Sequence, residues 1–344
     1  MKSLLFRVSL KTDERIMKMQ YISIKEAAQK WQISEQWARR YCNEGRIEGA
    51  YQEDSIWYVP EEAEKPERKK REDKPVVPKP QPPLVKKLRQ QKTKKMYHGL
   101  YDYVQTNLTY SNGRMASNRL MLTQIKEIFD TDKVKTGFEP IKVDDLIEAT
   151  DHMLCVDHII DTATQALTQT YIKRLHYQMF YGTFDERRGK CRIGVYRTKA
   201  NNLEKLKAPA AKDINSQMSK LIGEYEHLQE VTLLQILDFH VRFERIRPFD
   251  DGNGRIGRLL MFKECLRHGV TPFILDDKRR SAYLEGLRLW DLDRSVLAAP
   301  CLEAQKRFEN VIDTQRLLEE HHKQLLRAGF FRDKKRFEAE KEGK

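Results

Sequence analysis

Residues 243–258 read Phe-Glu-Arg-Ile-Arg-Pro-Phe-Asp-Asp-Gly-Asn-Gly-Arg-Ile-Gly-Arg. Asp250 to Gly254 are turn and helix-start residues, and the segment that follows has the apolar spacing of a buried helix. The loop therefore hands its backbone N–H groups to a helix N-terminus. Gly252, Asn253 and Gly254 form a cradle in which the glycines let the main chain approach a ligand closely. Unpaired N–H groups and the helix dipole favour an anion there, such as a phosphate. Arg255 and Arg258 lie three apart, share a helix face and can reach two phosphate groups in fork geometry. Asp251 suits a Mg²⁺ ion, which commonly takes one carboxylate plus phosphate oxygens. The plainer alternative is a glycine turn with an N-cap aspartate and two solvated arginines, and the residues alone leave both open.

The same string resembles the Fic (Fido) family signature His-Pro-Phe-x-(Asp/Glu)-Gly-Asn-Gly-Arg-x-x-Arg. It matches at Pro248, Phe249, Asp251, Gly252, Asn253, Gly254, Arg255 and Arg258. Asp238 to Ile246 looks like the family's preceding helix, and Met261 to Leu275 like the helix and loop after it, so the resemblance covers about 96 to 310. It implies a mainly α fold, an all-helical Fic domain with a small β-hairpin flap. It also implies a protein adenylyltransferase (AMPylase) scaffold, moving AMP from ATP, with Mg²⁺, to a hydroxyl of a target protein. The one mismatch is the histidine, the family's general base, which is Arg247 here. Imidazole suits a base because its pKa lies near neutral. A guanidinium stays protonated and has no acceptor atom. The chain is therefore expected to bind nucleotide or phosphate while being catalytically impaired, and whether it is an enzyme turns on Arg247.

No other histidine takes over the role. His240 lies seven residues earlier, about 10 Å back along a helix at 1.5 Å per residue, and His176 reads as part of a packed helix. Many Fic proteins carry an inhibitory motif, (Ser/Thr)-x-x-x-Glu-(Gly/Asn), whose glutamate pairs with the last arginine of the signature. Counting back from Asn118 and Leu120 puts Ala116 in the glutamate's place and Asn112 in the serine's, so Arg258 is expected to have lost its partner. Residues 194–209 resemble the flap on which a target protein docks. Its centre, Asn201 to Lys207, has no glycine.

Organisation follows from composition. Residues 65–95 hold six of the twelve prolines together with lysine clusters, and read as an extended linker without a core. The domains are expected at 1–20 (extension), 21–64, 65–95 (linker), 96–330 (Fic) and 331–344 (charged tail). In the first unit, Ser23 is an N-cap, with Ile24, Ala27, Ala28 and Trp31 on one helix face. A second helix, Glu35 to Asn43, is expected to bury Trp37 and Tyr41 and to present Gln36, Arg39, Arg40 and Asn43. Ile47–Tyr51 and Ile56–Pro60 read as strands. This order resembles the winged helix-turn-helix of MerR and excisionase type, which implies DNA binding through 21–60, with those four residues at the groove.

The five cysteines lack metal or redox spacing, and no apolar run reaches membrane-spanning length. A cytoplasmic, bacterial protein without a membrane partner is expected. Met17 and Met19 offer alternative starts to Met1. A homo-oligomer, a cognate antitoxin, the DNA operator and the target protein stay open. Two further readings stand beside the impaired enzyme: an active AMP-transferase using a non-standard base, and a DNA-binding or docking protein whose Fic domain mediates partner contacts only.

Overall fold

Ser23 starts the first helix by accepting the Glu26 N–H, while the Glu26 carboxylate takes the Ser23 N–H at 2.8 Å. That reciprocal cap fixes α1 (Ile24–Lys30), whose Ile24, Ala27 and Ala28 are buried. A tight turn leads to α2 (Glu35–Asn43), and the chain then forms β2 (Tyr51–Glu53) and β3 (Ile56–Pro60). β1 (Tyr21–Ser23), which the sequence did not announce, pairs antiparallel with β3, giving the sheet order β1-β3-β2. Two expectations change. Trp37 is 41% exposed, and the buried face of α2 is Ala38, Tyr41 and Cys42. Ile47 to Ala50 is a turn rather than a strand, with Ile47 alone plugged into the small core.

This computed structural model describes residues 20–43, 45–53, 56–66, 81–96, 98–135, 140–199 and 208–327. The chain divides into two compact units, Met1–Val77 and Pro78–Lys344. The extension 1–19, most of the linker and the tail from 328 lie outside the described residues.

The regular elements described in the second unit are all helices. It comprises α3 (Pro83–Lys94), α4 (Leu100–Met115), α5 (Leu122–Thr131), α6 (Val143–Asp161), α7 (Gln169–Phe180) and the short α8 (Phe184–Arg187). These are followed by α9 (Ile214–Glu226), α10 (Leu233–Ile246), α11 (Asn253–His268), α12 (Arg280–Leu289) and α13 (Ser295–Arg327). The linker thus ends earlier than expected. Pro82 and Pro83 open α3 instead of preventing a fold, because a proline at the first helical position gives up an N–H that would be orphaned anyway. Val85 and Leu88, one turn apart, are fully buried against the other helices.

α11 is the centre of the unit. Ile256, Leu259, Leu260, Phe262 and Leu266 are buried around its whole circumference, as expected of a helix enclosed by neighbours. Even Lys263 and Glu264 are inside, paired at 2.6 Å. Arg267 extends that pair by a two-pronged contact with Glu226 on α9, at 2.5 and 2.7 Å. A helix so fixed makes a rigid platform for what lies at its N-terminus. No helix among the described residues is long and apolar enough to cross a membrane.

Candidate functional site

α10 stops at Arg247, whose backbone adopts the left-handed region (φ 46) while its N–H still bonds the Phe243 carbonyl at 3.1 Å. Pro248 follows and cannot continue the helix. Phe249 is fully buried, its ring stacked on His176 at 3.8 Å. The loop then closes on itself: the Asn253 side-chain oxygen accepts the Phe249 N–H and its side-chain amide nitrogen donates to the Phe249 carbonyl, both at 2.9 Å. Asn253 therefore shapes the cradle with its side chain, and the expectation of a phosphate contact passes to its backbone N–H. Gly252 has φ +76, and a Cβ there would stand 2.3 Å from the Phe180 ring, so only glycine fits.

The first intrahelical bond of α11 runs from the Ile256 N–H to the Gly252 carbonyl. The N–H groups of Asn253, Gly254 and Arg255 precede it and have no partner within the helix, the arrangement that suits an anion. His176 braces the loop from below. Its Nε2–H donates to the Asp251 carbonyl at 3.1 Å and its Nδ1 accepts the Gly194 N–H at 3.0 Å. Burial, then the nearby Arg255, holds this imidazole down to about 4, so it stays neutral and keeps that polarity. His240 is equally structural: it is buried, bonded to the Tyr283 hydroxyl at 2.6 Å, and held to about 3 by burial and by Arg258.

The three arginines differ. Arg255, only 8% exposed, lies over the Phe180 ring and is paired with Glu148 at 2.6 Å and Asp251 at 3.0 Å. Without a ligand its charge is shared with these two carboxylates. Asp251 keeps an exposed carboxylate at the rim. Arg258 curls back beside the helix N-terminus, with one terminal nitrogen 3.0 Å from where a Cβ on Gly254 would stand. Its Nε–H donates to the Asn112 side-chain oxygen at 2.6 Å. Ala116 is the residue after the last turn of α4, whereas Asn112, one turn inside the helix, is what meets Arg258. Arg258 is held by a neutral amide in place of a carboxylate.

Arg247 and Glu244 lie three apart on α10. The Arg247 Nε and the Glu244 Oε1 are buried without a hydrogen-bond partner among the described residues. Burial pushes the Glu244 carboxyl up, and Arg258 and Arg247 pull it back.

Arg197, which no motif announced, fastens the loop to the expected flap. Its buried guanidinium donates to the Arg247 carbonyl at 2.8 Å, to Lys199 at 2.9 Å and to Pro209 at 2.7 Å. Its backbone N–H bonds the Pro248 carbonyl at 2.8 Å. It both caps the C-terminus of α10 and joins residues 199 and 209 across the segment between them. Residues 194–199 and 208–209 carry no regular strand, and 200–207 lie outside the described residues.

In the first unit, α2 exposes Gln36, Trp37, Arg39, Arg40 and Asn43 around one open groove. Two of the expected reading residues are engaged within the unit: Arg39 pairs with Glu35 at 2.7 Å, and the Asn43 oxygen accepts the Trp57 indole N–H at 3.1 Å.

The second unit shows the fold of the Fic domain. Residues 166–265 match the model of the Fic/DOC family, and they include α7, the loop and most of α11. The whole unit resembles the solved Fic-1 (aa134 - 508) from C. elegans, with a TM-score of 0.54 and 18% identity, covering 68% of this chain and 71% of that one. A Fic domain containing signaling protein from Bacteroides thetaiotaomicron gives a TM-score of 0.50 and 20% identity, over 67% of this chain and 92% of that one. Among curated proteins, the chain is 22% identical over 182 residues to a protein adenylyltransferase Fic of Nematostella vectensis, covering 52% of this chain and 41% of the relative. It is 44% identical over 50 residues to the one of Drosophila grimshawi, covering 14% of this chain and 10% of the relative. A uridine 5'-monophosphate transferase of Xanthomonas campestris is 29% identical over 89 residues, 24% of this chain and 17% of the relative. The chain spans less than half the length of these curated relatives. It contains a Fic domain, related at low identity to proteins named adenylyltransferases.

Proposed function

We propose that the Fic domain binds the phosphates of a nucleotide, ATP in the first instance, and is impaired in transferring AMP because Arg247 replaces the general base. The observation that carries this reading is Arg247 itself, at the end of α10 and directly ahead of a cradle that has kept its shape. The Gly252 turn, the Asn253 clasp and the open N–H groups of α11 are what phosphate needs. Arg247 and Arg258 add positive charge there, offset in part by the buried Glu244 carboxyl that interacts with both.

Asp251 fits as the one protein ligand of a Mg²⁺ ion, because its carboxylate is 70% exposed at the rim. The ion would arrive with the phosphates, whose oxygens complete its shell, and would offset their charge. Arg247 can hold an anion but takes no proton from a hydroxyl. Loss of a general base costs about 10²- to 10⁴-fold in rate. Calorimetry with ATP and Mg²⁺, with Arg258→Ala as control, tests the binding. Heat at sub-millimolar ATP that vanishes in the control supports it, and no heat at millimolar ATP refutes it. Labelled ATP incubated with cell lysate tests the impairment: label on any protein, absent when Asn253 and Arg255 are replaced, would establish an active transferase.

A second reading concerns the first unit. The exposed face of α2, with Gln36, Trp37, Arg39, Arg40 and Asn43, supports DNA binding of the winged helix-turn-helix kind and a DNA-linked regulatory role. Gel shifts on the gene's own upstream DNA test it, since phosphate contacts must weaken as salt rises.

A further inference from the structure

Behind Arg258 lies a chain of hydrogen bonds whose direction is dictated at every link. A guanidinium only donates, so the Asn112 atom at 2.6 Å from Arg258 Nε is its oxygen. The Asn112 amide nitrogen therefore faces the other way, where it donates to the Arg255 carbonyl at 3.1 Å and meets His152 Nε2 at 2.8 Å. An amide NH₂ only donates, so that Nε2 is bare and the imidazole proton is on Nδ1, which faces the Thr109 hydroxyl at 2.8 Å. All donors point from the cradle into the core, in the order Arg258, Asn112, His152, Thr109. His152 is 3% exposed, and burial, followed by Arg258 and Arg255, holds it to about 3, so it is neutral in any ordinary buffer.

From this geometry we infer that His152 is a positioning residue for the cradle: it accepts the Asn112 amide, which keeps the amide oxygen on Arg258 and fixes the guanidinium beside the helix N-terminus. A bare imidazole nitrogen orients the amide without adding negative charge, so Arg258 is immobilised with no carboxylate set against it beyond Glu244. The inference rests on Arg258 being a phosphate ligand, and a readout free of ligand separates the two.

In the unliganded protein, hydrogen exchange of the Arg258 Nε–H, followed by NMR and assigned by its loss in Arg258→Lys, reads the hold directly. The signal should be protected in the wild type, lost to fast exchange in His152→Phe, and retained in His152→Gln, which restores an acceptor at the same reach. ATP affinity should fall roughly three- to tenfold in His152→Phe and recover in His152→Gln. The same change made on top of Asn112→Ala should cost nothing further. An Arg258 signal unchanged in His152→Phe, or an affinity loss that adds in full to that of Asn112→Ala, would overturn the inference. If His152→Phe does not fold, Thr109→Val removes the acceptor that fixes the tautomer and should speed exchange of the same hydrogen; no change there would also overturn it. A wild type that binds no ATP sinks the phosphate reading, while the exchange comparison still decides the role of His152.

Discussion

Arg258 donates its Nε–H to the side-chain oxygen of Asn112 at 2.6 Å, an anchoring made between α11 and α4 without a carboxylate. A neutral acceptor aims the guanidinium without setting a second carboxylate against it beside the buried Glu244. A carboxylate at the same place would cancel the guanidinium's charge.

Asn112→Asp tests this difference. The new carboxylate would bind Arg258 more strongly, a charged pair contributing about 1.5–3 kcal/mol against about 1 for a neutral bond. It would also lose the donors to His152 and to the Arg255 carbonyl. ATP affinity measured by calorimetry is expected to fall about tenfold. Tighter binding in this variant would contradict the account of Arg258.

Gly252→Ala should break the cradle. The backbone φ of +76 disfavours any side chain, and the new methyl carbon would lie 2.3 Å from the Phe180 ring. Strain and overlap together should cost about 2–4 kcal/mol in a urea titration. Phosphate binding should be lost with it.

Arg197→Met leaves the part-buried carbonyls of Arg247, Lys199 and Pro209 without their donor. A loss of about 3–5 kcal/mol is expected, together with weaker nucleotide binding, because the loop after α10 hangs on this residue. A change under 1 kcal/mol, read as a shift in denaturant midpoint, would show that the cap is dispensable.

Acid should weaken the fold through its buried histidines. His152, His240 and His176 are held at about 3, about 3 and about 4, below the ordinary histidine value of 6.5. The unfolded chain therefore binds more protons, and stability that is complete above about pH 6.5 falls as pH drops towards 4. Asp151, raised to about 6 by burial and by Glu148, works in the opposite sense, since its folded form takes up a proton first. Glu148 and Glu244 are also raised and add to that offset. A net slope of about 1.4–2.8 kcal/mol per pH unit is expected between pH 6 and 4.5 from urea midpoints. His240→Gln should flatten it.

Much of this was legible because the residues involved act locally. The glycine-rich turn, the α11 helix, the Ser23 cap and the limits of α2 are written in caps and periodicity. The contact between Asn112 and Arg258 was not legible, because no local pattern fixes the register between α4 and α11. Arg197 and His152 carry no motif, and a single histidine on an apolar helix face reads as ordinary core. Their roles come from partners 50 and 40 residues away in the chain. Pro83 and the lysines of α3 concealed a helix, because Val85 and Leu88 find their contacts only in the folded unit.

The central claim is that the site kept its cradle and lost its base at one position. Arg247→His with labelled ATP tests it most directly. The backbone there is left-handed, a region that histidine tolerates, and neither the Asn253 clasp nor the Arg258 anchor involves the Arg247 side chain. With Asn112 holding Arg258 without cancelling it, the variant is expected to label protein at least 10²-fold faster than the wild type. That labelling should disappear again on replacing Arg255 and Asn253. A folded, ATP-binding Arg247→His protein that transfers nothing would contradict the account.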